Sequence, residues 1–133
     1  MLRKIKKAIF YESGGAIEDF RLSIEELSKL EHPNIATVFD YREDPYNFYV
    51  MMEYCNGGKL FSKIEGLSEM TENLAAEIYR QILSTIVYIH SKGHIYRNLS
   101  LDVLLLEEDV NIVDDFNLKL VNLDIQFALA SAP

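Results

Sequence analysis

The chain has 133 residues, of which 49% are apolar, enough for one domain with a hydrophobic core. Its 21 acidic against 13 basic residues give a net charge of -8, which argues against nucleic acid or an anionic membrane as partner. One cysteine, Cys55, excludes an internal disulfide, and no apolar run approaches the ~18 residues of a membrane span. We expect a cytoplasmic or nuclear protein.

The first half of the chain predicts a strand, a helix and a hairpin. Residues 5–11 alternate weakly before Gly14-Gly15, which predicts a short strand and a turn. Residues 16–31 carry apolar side chains at steps of three and four, which predict a helix. That helix ends near His32 because Pro33 disfavours helical geometry in the residue before it. Residues 35–41 and 48–54 predict two strands joined by a polar loop.

The second half predicts two helices and a second hairpin. Residues 59–64 form a short helical piece, and Ser68 or Thr71 is suited to cap a long helix that continues to Ile89. Apolar residues cover more than one narrow stripe of the long helix, so we expect burial on several sides, with Tyr79 and Tyr88 at least partly in the core. The Leu run at 104–106, an acidic connector and the apolar residues at 118–121 predict the hairpin.

Several strings of letters occur in a distinctive order. They are L-E-H-P-N-I at 30–35, N-F-Y-V-M-M-E-Y at 47–54, G-G-K-L-F at 57–61 and I-H-S-K-G-H-I-Y-R-N-L-S-L-D-V-L-L-L at 89–106. In this order and spacing they resemble the Ser/Thr protein kinases, in particular the calcium- and calmodulin-dependent branch, in which H-R-D-L-K-P-E-N precedes a D-F-G element. The resemblance covers about residues 6–126.

The resemblance implies an α+β fold that corresponds to part of a kinase domain. We expect a small antiparallel sheet with one helix from the N-lobe, residues 1–54. The helical start of the C-lobe, with the catalytic-loop hairpin, would follow in residues 55–133. No G-x-G-x-x-G loop and no A-P-E element are found, so we expect a truncated domain. Later helices cover the long helix in the family, and we therefore expect its 71–89 segment to bind a protein partner or a second copy.

The residues that act on phosphate and on the substrate proton in the family are replaced at the matching positions. The phosphate-binding lysine of A-x-K matches Phe10, and the glutamate that holds this lysine matches Ser23. The catalytic base of H-R-D matches Asn98, whose amide accepts no proton at neutral pH. The lysine two residues later matches Ser100.

The two magnesium ligands of the family are weakened or lost. The metal-binding Asn of the catalytic loop matches Val103, and the Asp of D-F-G matches Asn122. Asp124 shares the face of Asn122 in an extended segment and is the alternative metal ligand, although a solvated loop carboxylate is the favoured interpretation. We expect no intact catalytic residues and no resident metal.

The apolar letters of the family's adenine pocket are kept. The matching positions are Ala8, Met52, Glu53, Cys55 and Leu105. Hinge backbone contacts do not depend on the replaced side chains, so ATP with Mg²⁺ stays an alternative. Without a glycine-rich loop over the phosphates, we expect no bound cofactor.

The sequence therefore favours a catalytically inactive pseudokinase that acts, if at all, as a binding or regulatory module. The alternative is that the chain is part of a longer ATP-dependent Ser/Thr protein kinase, with Lys6 and Asp124 taking over the lost roles. A third hypothesis is a degenerate gene product without a selected function.

Overall fold

A computed structural model describes residues 1–15, 17–96, 99–113 and 115–121 of the chain. These residues form two compact units. The first unit comprises 1–31 and 37–53, and the second comprises 32–36 and 54–121. Within the described ranges, no helix is both long and apolar enough to cross a membrane.

The first unit contains a three-stranded antiparallel sheet. Its strands are β1 (Leu2–Lys6), β2 (Val38–Glu43) and β3 (Asn47–Met52), in the spatial order β1-β3-β2. Ile5 lies opposite Phe48 in the β1–β3 pair. The predicted hairpin is confirmed, but its loop is only residues 44–46. Asp44 Oδ1 shortens the turn by accepting the backbone N–H groups of Tyr46 at 2.7 Å and Asn47 at 2.6 Å.

Two helices belong to the same unit. Helix α1 covers Ala8–Ser13 and helix α2 covers Ile17–Ser28. Helix α2 was expected from its apolar spacing, and it buries Phe20, Ile24 and Leu27. Glu18 and Asp19 lie in its first turn, where carboxylates are favourable near the unpaired N–H groups.

Helix α1 contradicts the strand predicted for residues 8–11. The Lys7 backbone N–H donates to the Tyr46 carbonyl at 2.9 Å, and strand β1 ends there. Gly14, at φ 71°, then closes α1 in the left-handed conformation that glycine adopts without steric cost. One helical turn buries Phe10 to 2% exposure, whereas weak alternation in the sequence had suggested an extended segment.

The second unit is mostly helical. Helix α3 covers Leu60–Glu65 and helix α4 covers Glu72–Ser91. Of the two candidate caps, Thr71 occupies the cap position, and its Oγ1 accepts the Leu74 backbone N–H at 3.2 Å. A single 3₁₀ turn at 101–103 leads into strand β4 (Leu104–Leu106), which pairs antiparallel with β5 (Leu118–Leu120). The predicted second hairpin is confirmed.

Gly57 joins the start of the second unit to strand β4. Its N–H donates to the Leu106 carbonyl at 3.1 Å. A Cβ atom at this position would lie 2.2 Å from the Glu108 carbonyl oxygen and 2.5 Å from the Leu106 Cβ. The close approach of the two backbones therefore explains the glycine that follows Asn56.

Helix α4 buries one face rather than several. The buried side chains are Leu74, Ile78, Gln81, Thr85 and Ile89. Tyr88 is half-buried, but Tyr79 is 65% exposed. The expectation of burial on several sides, with Tyr79 partly in the core, is therefore wrong for the described residues, because only one face of α4 packs against the strands and turns of its own unit.

Candidate functional site

The catalytic-loop segment of the second unit lies between the end of α4 and strand β4. Ser100 is exposed, and it precedes the 3₁₀ turn that contains Val103. The Val103 side chain is 7% exposed, and its carbonyl accepts the Val121 backbone N–H at 3.0 Å. Asn98 lies outside the described residues. The backbone of β4 and of residue 121 thus fixes position 103 beside the two-stranded sheet.

The family's magnesium site does not fit the residue at position 103. The site requires an oxygen ligand, and a buried isopropyl group supplies none. Asn122 and Asp124 lie outside the described residues, so the predictions for both remain predictions. Among the residues that the structure describes, no three His, Cys, Asp or Glu side chains lie close enough together to hold a metal ion.

Phe10 belongs to the aromatic core of the first unit. Its ring centroid lies 4.8 Å from that of Phe20 and 5.9 Å from that of Phe48. The family's lysine is carried by a strand, whereas Phe10 is in helix α1. The strand predicted at residue 10 is therefore corrected to a helix, and the match of Phe10 to that lysine stays a prediction.

Strand β1 is the strand that can carry the corresponding residue. It precedes helix α2 and pairs with β3, which leads into the hinge segment at residues 53–55. Ile5 is buried and Arg3 half-buried on one face, while Leu2, Lys4 and Lys6 are exposed. Arg3 is thus the cation on the buried face of β1. The end of β1 and the glycine cap of α1 place residues 2–6 in the sheet and Phe10 in a helix.

Arg3 preserves a positive charge on the inner face of β1. A guanidinium can pair with phosphate through two parallel hydrogen bonds, although its geometry differs from that of a lysine ammonium. The loss of the phosphate-binding cation, inferred from the match at Phe10, stays a prediction, because only the sequence match supports it. Lys6, the displaced cation considered earlier, is exposed opposite Asn47 at the end of the strand.

Ser23 does not take part in an ionic pair. Its hydroxyl donates to the Asp19 carbonyl of the preceding turn at 2.8 Å. A different cluster joins the N-terminal cap of α1 to α2 and β2: Glu43 accepts Lys7 Nζ at 2.5 Å and Arg21 Nε at 2.7 Å. The Lys7 ammonium also lies 4.9 Å from the centroid of the Phe48 ring.

Glu43 is the acceptor at the centre of this cluster. Hydrogen bonds from Arg21 first, and from Lys7 second, lower the pKa of its carboxyl to about 2. The side chain of Glu43 is 29% exposed, so solvent screens these interactions in part. The ionic link between α2 and β2 in this unit is therefore formed by Lys7, Arg21 and Glu43.

The residues predicted for the adenine pocket are distributed over both units, and each has a defined local setting. In the first unit, Met52 is buried in β3 and Ala8 is exposed in α1, and the assignment of Ala8 to the pocket stays a prediction. The Glu53 backbone N–H donates to the Thr37 carbonyl at 2.8 Å. In the second unit, Cys55 is buried and Leu105 is half-buried opposite Lys119.

In the hinge segment, the backbone N–H of Glu53 already donates a hydrogen bond within the first unit. Because the Glu53 N–H bonds to Thr37, and the Glu53 carboxylate accepts the Thr37 N–H at 3.1 Å, residue 53 is tied to the start of β2. A purine would have to use other backbone groups of this segment. The assignment of Met52, Cys55 and Leu105 to a pocket remains a prediction.

The three-stranded sheet with its helix, followed by a long helix and a short hairpin with a catalytic-loop segment, defines a protein kinase domain. The protein kinase domain family matches residues 4–127, and the chain belongs to this family. The resemblance inferred from the motifs is thereby confirmed. The order and spacing of the strings, rather than the catalytic letters, carried that inference.

The individual relatives are Ser/Thr kinases. The maternal embryonic leucine zipper kinase of Xenopus tropicalis is 34% identical over 106 residues, which are 79% of this chain and 16% of that protein. The CBL-interacting serine/threonine-protein kinase 12 of Arabidopsis thaliana is 34% identical over 110 residues, 82% of this chain and 22% of that protein. The chain thus spans between 16% and 22% of the length of these two relatives.

A solved structure shows the same fold. The crystal structure of Rad53 residues 1–466 in complex with AMP-PNP superimposes with a TM-score of 0.77 at 30% identity. The alignment covers 96% of this chain and 30% of the Rad53 chain. The predicted α+β, partial kinase-like fold is therefore confirmed.

Proposed function

We propose that this protein kinase domain is catalytically inactive and acts as a binding or regulatory module. The observation that carries the proposal is Val103, a buried hydrocarbon side chain where the family places a metal-binding Asn. Magnesium ions bridge the phosphates and neutralise the developing charge in kinases, and a site with one ligand missing binds them poorly.

Two further replacements support the proposal. Asn98 stands in place of the catalytic base, a change that typically costs ~10²–10⁴ in rate. Asn122 stands in place of the Asp of D-F-G, which exchanges a charged ligand for a neutral one. The rate losses from the three replacements are not additive, because the residues act as a unit. Each replacement nevertheless slows the same step, the transfer of the phosphoryl group.

The second candidate is that the chain is part of a working ATP-dependent Ser/Thr protein kinase. Two observations favour it: Arg3 keeps a cation on the inner face of β1, and the Ser/Thr kinase relatives are several times longer than this chain. A transcript that adds a G-x-G-x-x-G loop before Met1 and an A-P-E element after Pro133 would support this candidate. In either case we propose a cytoplasmic or nuclear location.

A transfer assay with radiolabelled ATP, Mg²⁺ and a mixture of peptide substrates distinguishes the two candidates. The proposal predicts no magnesium-dependent incorporation into the chain or the peptides. Incorporation that disappears in both Asp124→Ala and Arg3→Ala would contradict the proposal. Incorporation that persists unchanged in both variants would identify a contaminating kinase, since neither residue then contributes to the activity. That kinase would be removed by further purification before the assay is scored.

A further inference from the structure

Helix α4 exposes a continuous stripe of six side chains. They are Glu72, Ala76, Tyr79, Leu83, Val87 and His90, and we call them the outer stripe. Their spacing of three and four residues places them on one face of the helix, opposite the buried face. The three large apolar members are 65%, 58% and 67% exposed, in chain order.

Neighbouring residues extend the apolar character of this face. A groove of about 370 Å³ lies beside Tyr79, and Met70, Leu99 and Leu101 on its rim are 41%, 45% and 40% exposed. Single exposed apolar residues are ordinary on a protein surface. A contiguous stripe with an adjoining apolar groove is typical of an interaction surface.

The charges at the ends of the outer stripe indicate what covers it. The stripe begins with Glu72, and Glu69 lies three residues before it. It ends with His90, and Lys92 follows at the C-terminal cap of α4. The apolar centre is thus flanked by acidic groups at one end and basic groups at the other. An identical stripe running in the opposite direction matches this pattern, whereas a parallel copy would place acid against acid.

We propose that the outer stripe binds the outer stripe of a second copy of this chain, with the two α4 helices antiparallel. In this arrangement Glu72 faces His90 of the second copy. Tyr79 of one copy packs against Leu83 of the other, and Leu83 of the first copy packs against Tyr79 of the second. Ala76 is small enough to receive Val87. Each contact occurs twice, as a two-fold axis near residue 81 requires.

The interface is small. One helix pair buries less surface than the ~1,200–2,000 Å² of a stable specific complex, so we expect a weak dimer with Kd on the order of 10 µM. The proposal does not rest on the catalytic state of the domain, because none of the stripe residues matches a catalytic position.

Sedimentation velocity of the full chain tests the proposal, from about 1 µM to about 300 µM, a range that brackets the expected Kd. The unmodified chain should shift from monomer to dimer and no further. Leu83→Glu should remain monomeric throughout, since it places two carboxylates in the apolar centre. Phe39→Glu is the matched control: Phe39 is 63% exposed on β2 and lies outside the stripe, so its dimer should persist.

A charge exchange tests the antiparallel register. Glu72→Lys and His90→Glu should each weaken dimerisation several-fold, and the double variant should recover most of the loss because the pair is restored with reversed sign. A chain that stays monomeric at every concentration would overturn the proposal and leave the face to another protein. Equal effects of Leu83→Glu and Phe39→Glu, or growth beyond dimers, would also overturn it.

Discussion

The side-chain amide of Asn34 donates a hydrogen bond to Gln81 Oε1 at 3.0 Å, and both residues are buried in the second unit. The same Gln81 oxygen accepts the Leu118 backbone N–H at 2.7 Å, and Gln81 Nε2 donates to the Phe116 carbonyl at 3.0 Å. One glutamine on α4 therefore holds both the H-P-N segment and the entrance to β5. This network gives a structural role to the Asn of the H-P-N string.

Replacement of Gln81 by Leu should destabilise the chain strongly. The substitution leaves the Leu118 N–H and the Phe116 carbonyl buried without their partner, and each such group costs about 1–3 kcal/mol. We expect a loss of about 3 kcal/mol in the free energy of unfolding, measured by urea denaturation. Asn73→Ala, at an exposed position of the same helix, is the control and should change little. A loss below 1 kcal/mol in Gln81→Leu would contradict the network's role.

Replacement of Phe10 by Lys distinguishes a core position from the strand position of the family's lysine. The structure predicts that Phe10→Lys buries a charge between Phe20 and Phe48, and truncation of such an aromatic residue alone costs about 3–5 kcal/mol. A melting temperature far below that of the control Tyr11→Lys, which is 72% exposed in the same helix, is expected. A stable Phe10→Lys chain that gains affinity for ATP would show that the sequence match to the lysine was correct.

The Glu43 cluster should make stability depend on pH in the acidic range. Its pKa is lowered from 4.5 to about 2 in the folded chain, so the carboxylate contributes stability that is fully present above pH 4.5 and lost as pH falls toward 2. Glu43→Gln should flatten this part of the stability curve, measured by denaturation midpoints between these values. Asp44 and Glu77 have pKa values lowered to about 2 as well and retain their contributions in the variant. Glu12→Gln, an exposed control, should leave the slope unchanged.

His32 should add a second pH dependence nearer neutrality. Its Nδ1 accepts the Asn34 backbone N–H at 3.1 Å, so the proton of the neutral ring lies on Nε2, which is 3.2 Å from Ser84 Oγ. Burial first, and the charge of Lys119 second, lower the pKa of His32 below 6.5. The neutral ring therefore stabilises the fold above pH 6.5, and this contribution is lost as pH falls through the lowered pKa. His32→Gln should show a smaller difference in melting temperature between pH 7.5 and pH 5 than the unmodified chain; an equal difference would exclude this role.

Elements with strong periodicity or strong breakers could be predicted from the sequence. Helix α2 followed from its apolar spacing and from Pro33, and the hairpin of β2 and β3 followed from the polar residues around Asp44. The order of the sequence motifs was enough to identify the family, because the apolar core residues of these motifs are kept where the catalytic residues are replaced.

The features that could not be predicted depend on tertiary contacts. Six residues at 8–13 are too few to show a period, and Phe10 is drawn into a helical turn by Phe20 and Phe48. Nothing in the sequence indicated that Gln81 is buried, since its contacts with Asn34, Phe116 and Leu118 join segments more than 30 residues apart in the sequence.

The central claim is that the chain keeps the kinase fold without a working magnesium–nucleotide site, and a thermal-shift titration with ATP, with and without Mg²⁺, tests it most directly. A ligand that binds only the folded state must raise the melting temperature, by an amount equivalent to about 2.7 kcal/mol at 100 times its Kd. The account predicts that Mg²⁺ adds nothing to the effect of millimolar ATP on the unmodified chain, and that Val103→Asn combined with Asn122→Asp introduces a magnesium-dependent rise. A magnesium-dependent rise in the unmodified chain would contradict the account.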